Sequence, residues 1–256
     1  MGYQITKNYF PAIGQNFRQR YLILHYTALD NDRSITALTQ RGVSAHYLVS
    51  DLNDQEIYQI VDENKRSYHA GVSNWRKDSN LNDTSIGIEI VNNGFTTNAS
   101  GQRIFADFPD YQIRKVAALA KDIVQRYNIP PTNVLAHSDI APGRKQDPGP
   151  KFPWKKLYDE YQIGMWYDEG TRSGFLNQLE TGTFESDKNT PPFIYKVQSQ
   201  LQSLGYQVDL SGQWDNQTKL VVQSFQYHFW PQLGDGVLDM GTYATLLALL
   251  QKYPAK

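Results

Sequence analysis

The sequence predicts an α/β protein: a mixed central β-sheet flanked by helices, followed by a small three-helix C-terminal domain. Three observations carry this expectation. Up to about Tyr161, short apolar runs bounded by turn residues alternate with segments of helical period. One of those segments, Asp110 to Asn128, is too long and too regular to be a strand. Beyond about Thr190 the pattern changes to three helix-period segments with no strand signal, the pattern of a small separate bundle.

Taken in order, Tyr21 to Thr27 is short, apolar and aromatic, and reads as a buried strand with a polar tip. Ser34 to Arg41 is a candidate short helix. Ala45 to Ser50 and Glu56 to Asp62 read as two strands joined across the turn residues Asp51, Asn53 and Asp54. Ser85 to Val91 is a fourth strand and Val134 to His137 a fifth. Between them, Ile113, Val116, Ala117, Ala120, Ile123, Val124 and Tyr127 keep helical spacing, after Pro109 and before the helix-stopping Pro130-Pro131. Residues 164 to 192 hold Gly164, Gly170, Gly174 and Gly182, and read as a connector that is partly helical at most. Thr190-Pro191-Pro192 starts the first C-terminal helix, whose Ile194, Val197, Leu201 and Leu204 share one face and which Gly205 closes. The second helix is expected over Asn216 to Phe229 and the third over Asp239 to Tyr253. The expected domains are residues 1–180 and 181–256.

Composition narrows the function classes. The 256 residues are 40% hydrophobic and 20% charged, so a packed core is expected and general disorder is not. A net charge of −1 lacks the basic excess of a nucleic-acid binder. The chain has no cysteine, which removes disulfides, thiolate metal sites and a thiol nucleophile. The 17 tyrosines and 5 tryptophans fit sugar or peptide binding and equally fit core packing, so they decide nothing alone. No apolar run reaches the roughly 18 residues of a membrane span, and no signal peptide begins at residue 1. Met1-Gly2 through Thr6 fits the N-myristoylation pattern. The favoured expectation is instead a chain whose export signal has been trimmed away.

Without cysteine, a zinc site must use histidine and carboxylate. There are five histidines: His25, His46, His69, His137 and His228. His25 and His137 end apolar strands, where a rigid sheet can present a ligand to a cleft. The segment His137-Ser138-Asp139-Ile140-Ala141-Pro142-Gly143-Arg144-Lys145-Gln146-Asp147-Pro148-Gly149-Pro150 follows. Its Pro and Gly residues constrain the backbone, and in extended chain Lys145 and Asp147 point to the same side. In Ser85 to Val91 the isoleucines alternate onto one face, which leaves Ser85, Gly87 and Glu89 on the other. A carboxylate in the middle of an apolar strand is costly unless it is paired, liganded or functional.

His25 in Leu-His-Tyr-Thr, His69-Ala70-Gly71 with Trp75, Asn82-Asp83-Thr84-Ser85-Ile86-Gly87-Ile88-Glu89, and His137-Ser138-Asp139 through Lys145-Gln146-Asp147-Pro148-Gly149 together resemble the zinc N-acetylmuramoyl-L-alanine amidases of the bacteriophage-lysozyme type. Peptidoglycan recognition proteins share that fold. The resemblance runs from about residue 20 to about residue 155. It implies that His25, His137 and Asp147 bind Zn2+, that Glu89 is the catalytic acid/base, and that Lys145 faces the scissile carbonyl. His69, Trp75 and His46 are expected to line the substrate cleft, with a structural role as the other reading for His46. Asp139, two residues from His137, is the rival third ligand, although the family pattern favours Asp147. His228 is expected to pack or to face solvent.

The C-terminal segment resembles a helical peptidoglycan-binding domain through Val197-Gln198, Leu201, Leu204-Gly205-Tyr206, Gly212-Gln213-Trp214-Asp215, Phe225-Gln226, Asp235-Gly236 and Leu238-Asp239. Ser211-Gly212 stands where an acidic-Gly pair is usual. A bundle that only stabilises the enzyme is the plainer reading. The whole arrangement resembles the enterobacterial amidase lipoproteins that carry such a domain. The implied partners are peptidoglycan and muropeptides, with no nucleic acid. Membrane attachment is expected only through an N-terminal lipid anchor outside this chain. The implied compartment is the cell envelope: periplasmic, outer-membrane-anchored or secreted. Two competitors remain: a non-catalytic peptidoglycan-binding module and a zinc peptidase acting within the stem peptide. The sequence lacks a His-Glu-x-x-His pair, which removes one route to the peptidase.

Overall fold

The computed structural model describes residues 2–6, 10 and 12–254. Met1, and with it the start of the myristoylation pattern, lies outside the described residues, as do the outermost ends of the two expected domains.

The first part of the chain runs β1 (Tyr21–Tyr26), α1 (Asn31–Gln40), β2 (Tyr47–Val49), β3 (Ile57–Gln59), β4 (Asn74–Trp75), β5 (Asp78–Ser79), β6 (Ser85–Ile90), β7 (Phe95–Thr97), β8 (Arg103–Phe105), α2 (Asp110–Tyr127), β9 (Val134–Ala136), α3 (His137–Ile140) and α4 (Trp154–Tyr161). Five strands form one sheet in the order β3-β2-β6-β1-β9. β1, β2, β6 and β9 are parallel where they pair, and only β3 runs antiparallel, so the sheet is mixed as expected. β1 lies between β6 and β9, and its Leu22, Ile23 and Leu24 are wholly buried on both faces. A continuous apolar run is what a central parallel strand covered on both sides requires. α2 sets Val116, Ala117, Ala120 and Ile123 into that core, and Asn128 ends it in the left-handed conformation at φ +51°. Asp30 caps α1 by accepting from the Arg33 amide, so the helix starts at Asn31, three residues before the expected Ser34.

Two small pairs, β4–β5 and β7–β8, have no counterpart in the sequence reading. They are too short for a period-2 pattern to stand out. The fifth strand also ends one residue early: His137 opens α3 instead of closing β9.

The second part comprises α5 (Glu169–Thr181), α6 (Phe184–Asp187), α7 (Pro191–Leu204), α8 (Asn216–Phe229) and α9 (Met240–Lys252). The last three match the expected helices closely. Asp215 and Asp239 cap α8 and α9 by accepting from the Thr218 and Thr242 amides. The expected connector is largely helical instead. α5 contains Gly170 and Gly174 and has little apolar face of its own, so tertiary packing sustains it. It lies against α9, where Arg172 donates to Thr245 Oγ1 at 3.0 Å and its guanidinium sits 3.8 Å from the Trp230 ring centroid. Among the described residues, no helix is long and apolar enough to cross a membrane.

Candidate active site

Three parallel strands deliver the site. β1 and β6 are adjacent, with His25 and Glu89 as register partners near their carboxyl ends, so both side chains project on the same side. His137 follows the carboxyl end of β9, on the other side of β1. The crevice beyond the carboxyl ends of parallel strands is where open α/β sheets bind ligands. Asp147 comes in on the loop after α3, and the Ser138 amide donates to the Asp147 carbonyl at 3.0 Å.

His25, His137 and Asp147 converge. His25 Nδ1 and His137 Nδ1 are 2.8 Å apart, and Asp147 Oδ2 lies 3.1 Å from the first and 2.9 Å from the second. All three residues are buried. The other ring nitrogens fix the protons. Ser85 Oγ donates to the Leu81 carbonyl at 2.5 Å, so it must accept from His69 Nε2 at 3.1 Å. His69 Nδ1 is then an acceptor, and it takes the His25 Nε2–H at 2.9 Å. His137 Nε2 donates to the Ala70 carbonyl at 3.1 Å. The network therefore assigns a bare lone pair to Nδ1 of both His25 and His137. Two imidazole lone pairs and a carboxylate oxygen then face one another with no proton between them. Such a set is repulsive by itself and suits a cation. Two His and one Asp make a three-ligand zinc set that leaves a position open. Gly87 is part of this construction, because a Cβ there would overlap the His69 ring.

Electrostatics follow the burial. Desolvation first, and His137 second, bring the His25 pKa down to about 4. Burial and the neighbouring imidazoles hold His69 well below its ordinary value. Burial alone would raise Asp147, but a proton on the His137 or His25 imidazole outweighs it and holds its carboxyl well below the usual range. Glu89 behaves oppositely: burial and then the Asp147 charge push it up to about 8, against the pull of Lys145. Its Oε1 is 4.0 Å from His25 Nδ1, and its buried Oε2 has no hydrogen-bond partner. Lys145 is close enough to act electrostatically on both His25 and Glu89.

Three residues expected at the cleft make their contacts inside the protein. Trp75 is fully buried; its Nε1 donates to the Thr132 carbonyl, and its ring packs edge-on against Tyr206 at 5.0 Å. It joins the two parts of the chain, and a Cβ on Gly205 would strike it. His46 is 1% exposed, with Nδ1 bonded to the Gly87 amide and Ser67 Oγ and Nε2 to the Lys65 carbonyl, so its capacity is spent internally. His69 supports His25 instead of facing a cleft. Asp139, the rival ligand, is wholly buried and uses both oxygens on other donors. His228 packs, at 1% exposure. The supporting roles of Ser85 and the Ala70 carbonyl escaped sequence reading. Only the small residues Ser85 and Gly87, on the same strand face as Glu89, hinted at space there. A groove of about 830 Å³ runs between the β7–β8 hairpin and α8, lined among others by Arg103, Phe105, Asp107, Lys151 and Tyr227.

A mixed sheet whose parallel strands end on a buried His-His-Asp cluster, backed by a helical body, defines a two-part α/β protein with a candidate metal centre. The chain belongs to the N-acetylmuramoyl-L-alanine amidase family, which matches residues 15–150. Residues 190–246 match the family described as putative peptidoglycan binding domain. The chain is 41% identical to the N-acetylmuramoyl-L-alanine amidase AmiD of Escherichia coli over 243 residues, 92% of this chain and 84% of that one. It is similar to the structure of E. coli AmiD in complex with the substrate anhydro-N-acetylmuramic acid-L-Ala-D-gamma-Glu-L-Lys, with a TM-score of 0.86, 39% identity, and coverage of 100% and 97%. It is equally similar to Pseudomonas aeruginosa AmpDh3 in complex with anhydromuramic pentapeptide, with a TM-score of 0.86, 42% identity and full coverage of both chains.

Proposed function

We propose that this chain is a zinc-dependent hydrolase that cleaves the amide bond between N-acetylmuramic acid and L-alanine in peptidoglycan or its muropeptides. The observation that carries this reading is the convergence of two bare imidazole nitrogens and one carboxylate oxygen beside the Glu89 carboxyl, whose buried Oε2 has no hydrogen-bond partner. The AmiD and AmpDh3 likenesses support the substrate class, since both of those proteins were seen with anhydromuramyl peptides.

In this reading His25, His137 and Asp147 hold the zinc ion. When bound, it supplies Lewis-acid polarisation of the amide carbonyl and lowers the pKa of water. Glu89 takes a proton from the attacking water on a carboxylate oxygen and delivers it to the departing alanine nitrogen. Its raised pKa suits it to holding and releasing that proton near neutrality. The Lys145 ammonium stabilises the developing oxyanion, a contribution of roughly 3 kcal/mol for such a donor.

The division of labour is catalysis in 1–180 and wall binding in 181–256, with α5 packed across that division against α9. A wall substrate favours a working compartment in the envelope: periplasmic, outer-membrane-anchored or secreted.

Product analysis tests the reading. Incubation with purified peptidoglycan and with anhydro-muropeptides is expected to release stem peptides that begin at L-alanine, detected by mass spectrometry and abolished by a chelator. Cleavage within the stem peptide, or wall binding without release at full zinc occupancy, would sink it. The His25–His69–Ser85 chain makes a finer prediction. Ser85→Ala leaves the His69 Nε2–H without its acceptor and loosens the tautomer of His25. Zinc affinity is expected to fall roughly tenfold, as measured by chelator competition. An unchanged affinity would show that the chain does not support the ligand.

A further inference from the structure

Asp139 stands two residues beyond His137 and is wholly buried. A buried carboxylate needs donors, and Asp139 has three. Its Oδ2 accepts the Ala136 amide at 2.8 Å and His228 Nδ1 at 2.6 Å, while its Oδ1 accepts the Tyr206 hydroxyl at 2.6 Å. Only the first donor comes from the sheet-bearing part of the chain. Tyr206 follows α7 and His228 lies in α8, so the helical body supplies the other two.

These contacts reach the backbone that sets the ligands. Ala136 is the last residue of β9 and immediately precedes His137. Asp139 thus ties together the strand end and the first turn of α3 on either side of that ligand. The Ser138 amide, between His137 and Asp139, holds the carbonyl of Asp147. Further along the same segment, Leu220 of α8 lies over Gly143, where a Cβ would come within 2.6 Å of it. The donors are rigidly aimed. The His228 ring is stacked between Trp154 and Phe229, each with a centroid separation of 3.9 Å. Tyr206 is wedged against Trp75. A bundle that only anchored the protein to the wall, or only added stability, has no need to place two buried donors on the turn that presents a ligand.

We propose that the helical C-terminal body is a positioning element of the metal centre: Tyr206 and His228, acting through Asp139, hold the 137–147 segment in its ligating geometry. The inference rests on reading His25, His137 and Asp147 as zinc ligands, and it adds a role for the helical body beyond wall binding. Groups that orient metal ligands at one remove typically change metal affinity by about 10- to 100-fold when lost.

The test uses the full chain and three readouts: the zinc dissociation constant by chelator competition, the visible spectrum of the Co2+-loaded protein, and the melting temperature of the metal-free protein. Tyr206→Phe and His228→Leu are expected to weaken zinc binding about tenfold or more and to alter the cobalt spectrum. His228→Asn, which keeps an N–H donor near the position of Nδ1, is expected to recover most of the affinity. Tyr158→Phe is the matched comparator. It also deletes a hydroxyl that bridges the two parts of the chain, by way of Lys252, but does so away from the ligand segment. It is expected to bind zinc as the native chain does. If Tyr206→Phe does not fold, the contrast between His228→Leu and His228→Asn decides. Variants that lose melting temperature while their zinc constant and cobalt spectrum stay native overturn the proposal and leave Asp139 as interdomain glue. A His137→Ala chain that binds zinc as tightly as the native one overturns the ligand reading itself, and the proposal with it.

Discussion

Glu89→Gln is expected to lower kcat by roughly 10²- to 10⁴-fold while zinc content stays at the native level, because Gln cannot carry the proton between water and the leaving nitrogen. The same substitution is expected to stabilise the metal-free protein at alkaline pH. Burial and the Asp147 charge raise the Glu89 pKa to about 8 in the folded chain, whereas the unfolded chain titrates near the ordinary value of 4.5. Between those two values the folded state keeps a proton that the unfolded state has released, so native stability falls as pH rises through this window. Gln has no such proton. The two metal-free proteins should therefore be equally stable near pH 4 and diverge in favour of Gln up to about pH 8, by on the order of 3 kcal/mol after allowance for partial solvation. Zinc narrows the gap, because a cation beside Asp147 offsets the charge that helps to keep Glu89 protonated. Denaturant unfolding at several pH values, with and without chelator, measures this directly. A Gln variant that keeps native turnover removes Glu89 from the chemistry. A stability difference independent of pH removes the account of its environment.

Glu89 also shows why part of the site was legible in the sequence. A carboxyl-bearing residue near the end of Ser85–Ile90 breaks an otherwise apolar strand, and the period of two places it with Ser85 and Gly87 on one face. His25 and His137 could be read from their places at strand ends. The fold class was legible for a related reason: the core strands and α2 are amphipathic or apolar throughout, so local pattern and tertiary burial agree. The surroundings of Trp75 are not legible, because size and aromaticity do not say which surface a side chain meets; here it meets Tyr206, far away in sequence. Asp139 and Asp147 both follow His137 closely. Only the folded chain shows that the first is consumed by Ala136, Tyr206 and His228 and that the second turns toward the imidazoles. α5 was hidden because its stability comes from Arg172 and its neighbours on α9 and at Trp230, not from its own periodicity.

Zinc removal should have the largest effect of all, on stability and activity together. Without a cation, the His25 and His137 nitrogens and the Asp147 oxygen lie within 3.1 Å of one another in a buried pocket, and something must separate their lone pairs. A proton on one imidazole is an internal remedy, and burial opposes it at His25. Zinc provides the positive charge without that cost, and it binds the folded arrangement alone. At free zinc about a thousandfold above the dissociation constant, the folded state gains roughly 4 kcal/mol, which for a chain of this size is a rise in melting temperature on the order of 10 °C. Because zinc and protons compete for the imidazoles and His25 is held down to about 4, the gain should hold from pH 7 to pH 5 and shrink only as pH falls further, toward 4. Asp147→Asn should lose most of it, since the carboxylate supplies the one formal negative charge in the set. Thermal unfolding followed as zinc is titrated into chelated protein, at pH 4, pH 5 and pH 7, tests each of these points. A melting temperature indifferent to zinc at pH 7 would mean that the cluster is not a metal centre, and the hydrolytic mechanism would lose its electrophile.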